Sequence, residues 1–242
     1  MIFSPPLLEA ILLKRYKRFL ADVRLPNGDE FTVHCPNPGS MAGLSEPGIR
    51  CWISDSGNPK RKLRHTLELV EANAIDGPTM VGVNTNHPNK LAKEAILDGK
   101  IAPLNGYETL RTEVKYGENS RIDILLESPD RPACYVEVKN VHFVRTRNLH
   151  EFPDSKTARG AKHLRELANM IQQGHRAVML YVIQRMDGDS FQLADDIDHN
   201  YAREFDAACA SGVEAYAIRC QISPTEIIPD KLISVDRAIQ RQ

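Results

Sequence analysis

The residues best equipped for chemistry are Asp123, Glu137 and Lys139. Asp123 stands in Arg121-Ile122-Asp123-Ile124-Leu125-Leu126, and the other two stand in Tyr135-Val136-Glu137-Val138-Lys139. Both stretches alternate apolar and polar residues of high β propensity, which predicts two strands. Alternation sets Asp123 on the face opposite Ile122 and Ile124. It sets Glu137 and Lys139 together, opposite Val136 and Val138, with ~7 Å of strand rise between them. Two carboxylates and an ammonium on neighbouring strands can hold a divalent cation and place a water beside a phosphate. That is the chemistry of metal-assisted phosphodiester cleavage. The same three residues also suit a solvated sheet face with cross-strand ion pairs.

The elements that must position these residues follow from periodicity. Residues 1–85 read as all-β: strands at Ala10–Tyr16, Phe19–Leu25, Glu30–Cys35, Ile49–Ser54 and His65–Val70, with Met80–Asn84 a sixth or a crossing. Asn27-Gly28 supplies the positive φ of a tight hairpin. Five or six short strands without a helix predict a small barrel of the OB type, a fold that binds oligonucleotides or oligosaccharides. From residue 86 the pattern changes to α-β-β-β-α-β-α-β: a helix near Asn89–Leu97, strands at 109–116, 121–127 and 134–144, a helix at 159–171, a continuous apolar strand at Arg176–Ile183, a helix at 201–210 and a last strand at 213–219. Gly117-Glu118-Asn119-Ser120 links the first two of these strands as a hairpin. This half is an α/β sandwich, and the whole chain an α+β protein of two domains, 1–85 and 86–242.

Cations cluster in three places. Lys14-Arg15-Tyr16-Lys17-Arg18-Phe19 alternates charge with aromatic rings and suits the stacking of bases and the holding of phosphates, or equally a charged edge strand. Lys60-Arg61-Lys62 is a short basic run in a loop. Between Lys139 and Arg165, Arg145, Arg147, Arg159 and Lys162 lie near the Glu-Val-Lys strand, and Arg159, Lys162 and His163 share one helix face at i, i+3, i+4 spacing, away from Leu164, Leu167 and Ile171. These positions suit contacts with phosphates, with a solvated helix face as the alternative. Met186–Asp198 is acidic and is expected to face away from a polyanion or to act as a spacer.

The bulk properties set bounds. A chain of 242 residues with 42% hydrophobic and 26% charged residues is an ordinary globular protein. The net charge of -1 excludes a simple polycation, although residues 1–65 carry ten Lys and Arg against six Asp and Glu. The five cysteines are scattered without metal spacing and read as reduced thiols. Neither a signal-peptide pattern nor a membrane-spanning apolar run is present, so a cytoplasmic protein is expected. Nothing in the sequence sets an oligomeric state.

Asp123 with Glu137-Val138-Lys139 and the helix that follows resemble the PD-(D/E)xK, restriction-endonuclease-like superfamily. The leading proline is replaced by Ile122, and the literal pairs Pro129-Asp130, Pro153-Asp154 and Pro229-Asp230 lie off the paired strands. More narrowly, the chain resembles the sugar fermentation stimulation protein A family. The resemblance rests on Phe3-Ser4-Pro5-Pro6-Leu7, Lys14–Val23, His34-Cys35-Pro36-Asn37, Glu113–Gly117, Ser120–Asp123, Tyr135–Lys139 and Arg159–Leu167. It implies an OB-like domain before a nuclease-like domain, DNA binding of low sequence specificity, and a regulatory link to sugar (maltose) metabolism. For an active site it implies Asp123 and Glu137 as ligands of Mg²⁺ or Mn²⁺, the Val138 carbonyl as a third oxygen, and Lys139 orienting water or stabilising phosphate charge. Glu113 is the nearer candidate for a further carboxylate and Glu94 the other. The alternative to a binding protein is a Mg²⁺- or Mn²⁺-dependent nuclease.

Overall fold

The computed structural model describes residues 1–117 and 120–235. Its first half is a barrel of β1 (Leu8–Tyr16), β2 (Leu20–Arg24), β3 (Glu30–His34), β4 (Arg50–Asp55) and β5 (His65–Ala74), extended by β6 (Gly77–Gly82). The sheet order is β3-β2-β1-β4-β5-β6, and a β3–β5 pairing at His34 and Thr66 closes it. Closure in the order 1-2-3-5-4 is OB topology, and it removes the free edges that a flat sheet would expose. Alternate inward residues fill the barrel, among them Leu12, Ala21, Val23, Val33, Ile53 and Leu67.

The second half opens with α1 (Pro88–Leu97), which has proline in its first turn and stops at Gly99, φ 68°. A six-stranded sheet follows, built from β7 (Thr109–Tyr116), β8 (Ser120–Ser128), β9 (Arg131–Val141), β12 (Arg176–Ile183), β14 (Glu214–Ile222) and β15 (Ile227–Ile233) in the order β15-β14-β12-β9-β8-β7. β9, β12 and β14 run parallel and the outer pairs antiparallel. The apolar run of β12 is buried on both faces: Met179 and Tyr181 pack in the core with α2 (Ala158–Gln172) and α3 (His199–Ala210), while Val178, Leu180 and Val182 pack in the core with α1. One carboxylate sets both helix starts. Asp198 accepts the Tyr201 N–H to cap α3 and the Thr157 N–H just before α2. Gly160 lets the two helices close up, since a Cβ there would lie 2.9 Å from Thr157 and 3.0 Å from the Tyr201 ring.

Three features depart from the sequence reading. The strand expected to run to residue 144 ends at Val141, and β10 (Phe143–Thr146), β11 (Asn148–Phe152) and β13 (Gly188–Leu193) form a separate small sheet. The acidic Met186–Asp198 segment is therefore no spacer: it supplies β13, and Asp187, Asp189 and Asp196 are ion-paired to Arg185, Arg219 and Arg145. The sheet also gains β15 after the expected last strand. Of the expected hairpin link, Glu118 and Asn119 lie outside the described residues, although Tyr116 and Ser120 do pair across it.

The two halves share contacts. Trp52 and Leu69 of the barrel pack in the core beneath α1 rather than inside the barrel. The first residues of the chain join the second half: Phe3 and Leu7 donate backbone hydrogen bonds to the Thr225 and Pro224 carbonyls. At Gly82 the backbone donates to the Gln184 carbonyl at 2.9 Å, and a Cβ would stand 2.5 Å from the Gln184 side-chain oxygen, so only glycine allows this approach. Among the described residues no helix is long and apolar enough to cross a membrane.

Candidate functional site

The site forms where β8 and β9 stop pairing. Their ladder runs through Ile124 and Val136, and beyond it the Val138 N–H donates to Asp123 Oδ2 at 2.7 Å instead of to a backbone carbonyl. The strand is irregular here. Ile122 packs under α2 and α3 but Ile124 packs under α1, so the two do not share the face that strict alternation predicts. Beside them on β7, Glu113 takes a left-handed backbone, φ 55°. The opposition of Glu137 and Lys139 to Val136 and Val138 does hold, because both valines pack under α1.

Asp123 is half-buried, with Oδ1 accepting from Asn89 Nδ2 at 2.8 Å. The same amide reaches exposed Glu113 at 3.4 Å, so Asn89, in the first turn of α1, bridges the two carboxylates. Glu137 is 2% exposed. Its Oε1 accepts from Lys139 Nζ at 2.6 Å and from His163 Nδ1, while Oε2 has no partner. His163 Nε2 accepts from Arg159 Nε at 3.3 Å, which leaves the ring proton on Nδ1, facing Glu137. Burial and the neighbouring Glu137 charge push the Asp123 carboxyl up from its ordinary value. Burial presses Glu137 upward too, but the Lys139 ammonium and the His163 contact outweigh it and hold Glu137 low. Two carboxylates are thus driven apart in acidity on adjoining strands, a pattern typical of functional sites.

A cleft of about 430 Å³ opens over this arrangement, lined by Glu113, Ser120, Arg121, Asp123, Arg159, Lys162 and His163. Next to it lies a second group of buried polar atoms. Glu166 accepts from Ser120 Oγ at 2.7 Å through Oε1, whereas its Oε2 and the Tyr116 hydroxyl have no partner. Among the described residues no three His, Cys, Asp or Glu side chains already form a metal cage. The carboxylate oxygens gathered here are those of Asp123, the unpartnered Glu137 Oε2 and, at the mouth, those of Glu113. Such hard, partly unsatisfied donors could hold a divalent cation.

The candidate phosphate-binding residues separate. Arg159 and Lys162 are exposed at the cleft, but His163 is buried, so the three do not share an outward face. The buried stripe of α2 includes Gly160, Ala161, His163, Leu164, Glu166, Leu167 and Met170. Arg145 and Arg147 lie elsewhere and are engaged: Arg145 grips Glu151 at 2.7 Å and Asp196 at 2.5 Å, and Arg147 pairs with Asp76. On the barrel, Arg15 is bound inward to the carbonyls of Asn37 and Gly39 at 2.7 and 2.9 Å. Lys14, Lys17, Arg18, Lys60, Arg61 and Lys62 are exposed. Glu94 holds the Met1 ammonium at 2.6 Å and takes no part in the cleft. Sequence reasoning missed Asn89, Tyr116 and Glu166, and placed His163 on the wrong side of its helix. The available signal was the i, i+3 spacing of His163 and Glu166 beside Leu164 and Leu167, which an apolar count overlooks.

Comparison with known proteins now decides the family. Residues 86–226 match the sugar fermentation stimulation protein RE domain, and residues 13–83 match the SfsA N-terminal OB domain. The chain belongs to the sugar fermentation stimulation protein family. The family's homolog from Agrobacterium fabrum is 54% identical over 98% of this chain and 97% of its own length. That from Rhizobium rhizogenes is 56% identical over 98% of this chain and 93% of its own. In three dimensions the chain matches SfsA of Pyrococcus furiosus, solved in complex with Ca²⁺, with a TM-score of 0.84 and 24% identity over 98% of both chains. The OB barrel followed by the α/β domain is therefore the family's fold.

Proposed function

We propose that this SfsA-family protein binds DNA with little sequence preference and holds a divalent cation, Mg²⁺ or Mn²⁺, between Asp123 and Glu137. The observation that carries this reading is Glu137 Oε2, a charged oxygen sealed in the protein without a partner. Such an atom is costly unless something answers its charge. A hard cation would answer it and would relieve the repulsion that raises Asp123. The Ca²⁺ in the Pyrococcus furiosus relative is a cation of the same oxygen-seeking class. The Val138 carbonyl and Glu113 are the further oxygens in this proposal.

A cation bound here supplies charge to a phosphate and acidity to a water. The residues do the rest. Asn89 and the Val138 N–H fix the two oxygens of Asp123, and His163 with Lys139 fixes Glu137. Arg159 and Lys162 attract phosphates to the cleft, and Lys14, Lys17, Arg18, Lys60, Arg61 and Lys62 do so on the barrel. We place the protein in the cytoplasm, in keeping with five buried free cysteines, and regard its link to sugar metabolism as exercised through DNA. In this reading the roles divide between residues 1–85 and residues 86–242 of the sequence.

The test is fluorescence anisotropy on labelled DNA with Mn²⁺ or with EDTA. Tighter binding with Mn²⁺ in the wild type, lost in Glu137→Gln, is expected; equal binding in all four cases contradicts the cation site. The position of Lys139 Nζ, 2.6 Å from Glu137 Oε1, favours a second reading in which the cleft also cleaves DNA. Metal-dependent nicking of supercoiled plasmid by wild type and not by Lys139→Ala is its expected signature.

A further inference from the structure

The barrel carries one ring that its own packing does not use. Phe19 is 47% exposed, and it is the only aromatic among the exposed large hydrophobic side chains of the described residues. It follows Lys17 and Arg18 in the β1–β2 turn, whose φ angles are 48° and 63°. Two successive residues with a Cβ in the left-handed region persist only where their surroundings impose it. Here the turn is braced from behind. Phe19 donates its N–H to the Lys17 carbonyl at 2.8 Å, and the Cys35 N–H donates to the Phe19 carbonyl at 2.8 Å. Arg18 donates to the Pro38 carbonyl at 3.2 Å, and Arg15 to the Asn37 and Gly39 carbonyls. The fold thus holds an apolar ring in water at the tip of a fixed turn.

Its surroundings are cationic. Lys17 and Arg18 are exposed beside it, and Lys14 Nζ lies 5.1 Å from the centre of the Tyr16 ring. Across the ladder Leu20 pairs with His34, and His34 with Thr66. This end of the barrel therefore runs from the Phe19 turn through the half-buried His34 ring to the Lys60–Arg64 loop. Burial first, and then the Arg61 charge, lower the His34 imidazole against the Glu68 charge, and Arg61 is exposed in that loop. The same end is tied to the cleft. Ser40, next to the loop that Arg15 and Arg18 hold, bonds Asp154 at 3.0 Å, three residues before the Thr157 cap of α2 and its Arg159.

An exposed ring among cations matches a ligand that joins flat apolar faces to a chain of anions. An unpaired base on its phosphate backbone is such a ligand, whereas a duplex hides its base faces and offers phosphates alone. We propose that Phe19 stacks on an unpaired base of single-stranded DNA, with Lys17, Arg18 and Arg61 on the flanking phosphates and the His34 ring alongside. The inference rests on the DNA-binding reading above and narrows it to single-stranded DNA at this end of the barrel.

Anisotropy with a labelled oligothymidine and with a duplex of equal length, on wild type, Phe19→Ala and Phe19→Tyr, tests it. Stacking predicts that Phe19→Ala weakens single-strand binding about tenfold and changes duplex binding less than about twofold. Phe19→Tyr restores the single-strand affinity. No loss in Phe19→Ala, or an equal loss on both substrates, overturns the stacking role while leaving DNA binding intact. A wild type that binds neither substrate overturns the DNA reading itself, and this inference with it.

Discussion

Between Lys139 and Arg165 the chain carries seven Lys and Arg residues, and the fold uses them in two opposite ways. In the small β10–β11–β13 sheet they are neutralised: Arg145 holds Glu151 and Asp196, and Arg147 holds Asp76. In the cleft, Lys162 reaches Glu166 at 3.5 Å and Arg159 donates to His163 at 3.3 Å, yet both still line open volume, and Glu137 keeps an oxygen without a partner. A cation that meets an acceptor inside its own protein adds stability. A buried acceptor left short of partners marks where a ligand is expected. The count of charges is the same kind of fact in both regions; the open volume and the unpartnered Glu137 oxygen tell them apart.

The comparison can be broken at either side. In the cleft, His163→Ala removes one of the two groups that fix Glu137, and a loss of roughly 10–100-fold in Mn²⁺ affinity by titration calorimetry is expected. Unchanged affinity would show that Glu137 needs no such support. Replacing Arg159 and Lys162 together by Ala is expected to weaken DNA binding and to lower the slope of log affinity against log salt by about 2, one step per phosphate contact. An unaltered slope would return both to the ordinary solvated surface.

The small sheet should answer in the opposite sense. Arg145→Ala strips Glu151, which is 2% exposed, of its main partner and is expected to cost about 2 kcal/mol of stability, with DNA affinity unchanged. Arg145 is 39% exposed, so solvent screening keeps the cost below that of a fully buried pair. The Arg145 guanidinium holds Glu151 below its ordinary value of 4.5, against burial. A depressed carboxylate stabilises above its unfolded value and loses that contribution as pH falls through its folded one. The stability gap between wild type and Arg145→Ala is therefore constant above about 4.5 and shrinks below it, measurable by urea unfolding across pH. Arg147→Ala, at an exposed pair with Asp76, should change stability by less than about 0.5 kcal/mol.

Legibility from the sequence followed how local each signal was. The barrel strands, the doubly buried β12 and the helix at Arg159 were readable because period and turn residues announce them within a few positions. So was the placement of Asp123, Glu137 and Lys139 on adjoining strands. β11 and β13 were not, since their pairing joins Asn148–Phe152 to Gly188–Leu193 across the whole of α2 and β12. The faces of Ile122 and Ile124 were misread because the ladder parts at Asp123, a break that alternation cannot foresee. His163 was counted as solvent-facing for being polar and Glu166 was passed over, although their spacing lies on the buried stripe. Arg15, Arg145 and Arg147 look like free cations in sequence because their acceptors are 22 to 71 residues away or across a hairpin.

The central claim is that Glu137 and Asp123 together hold a divalent cation. Electron paramagnetic resonance on Mn²⁺ titrated into folded wild type and folded Glu137→Gln tests it most directly, without requiring DNA or turnover. The account predicts saturable binding of Mn²⁺ by the wild type that is abolished in the variant. Equal binding by both proteins, or none by the wild type, would contradict it.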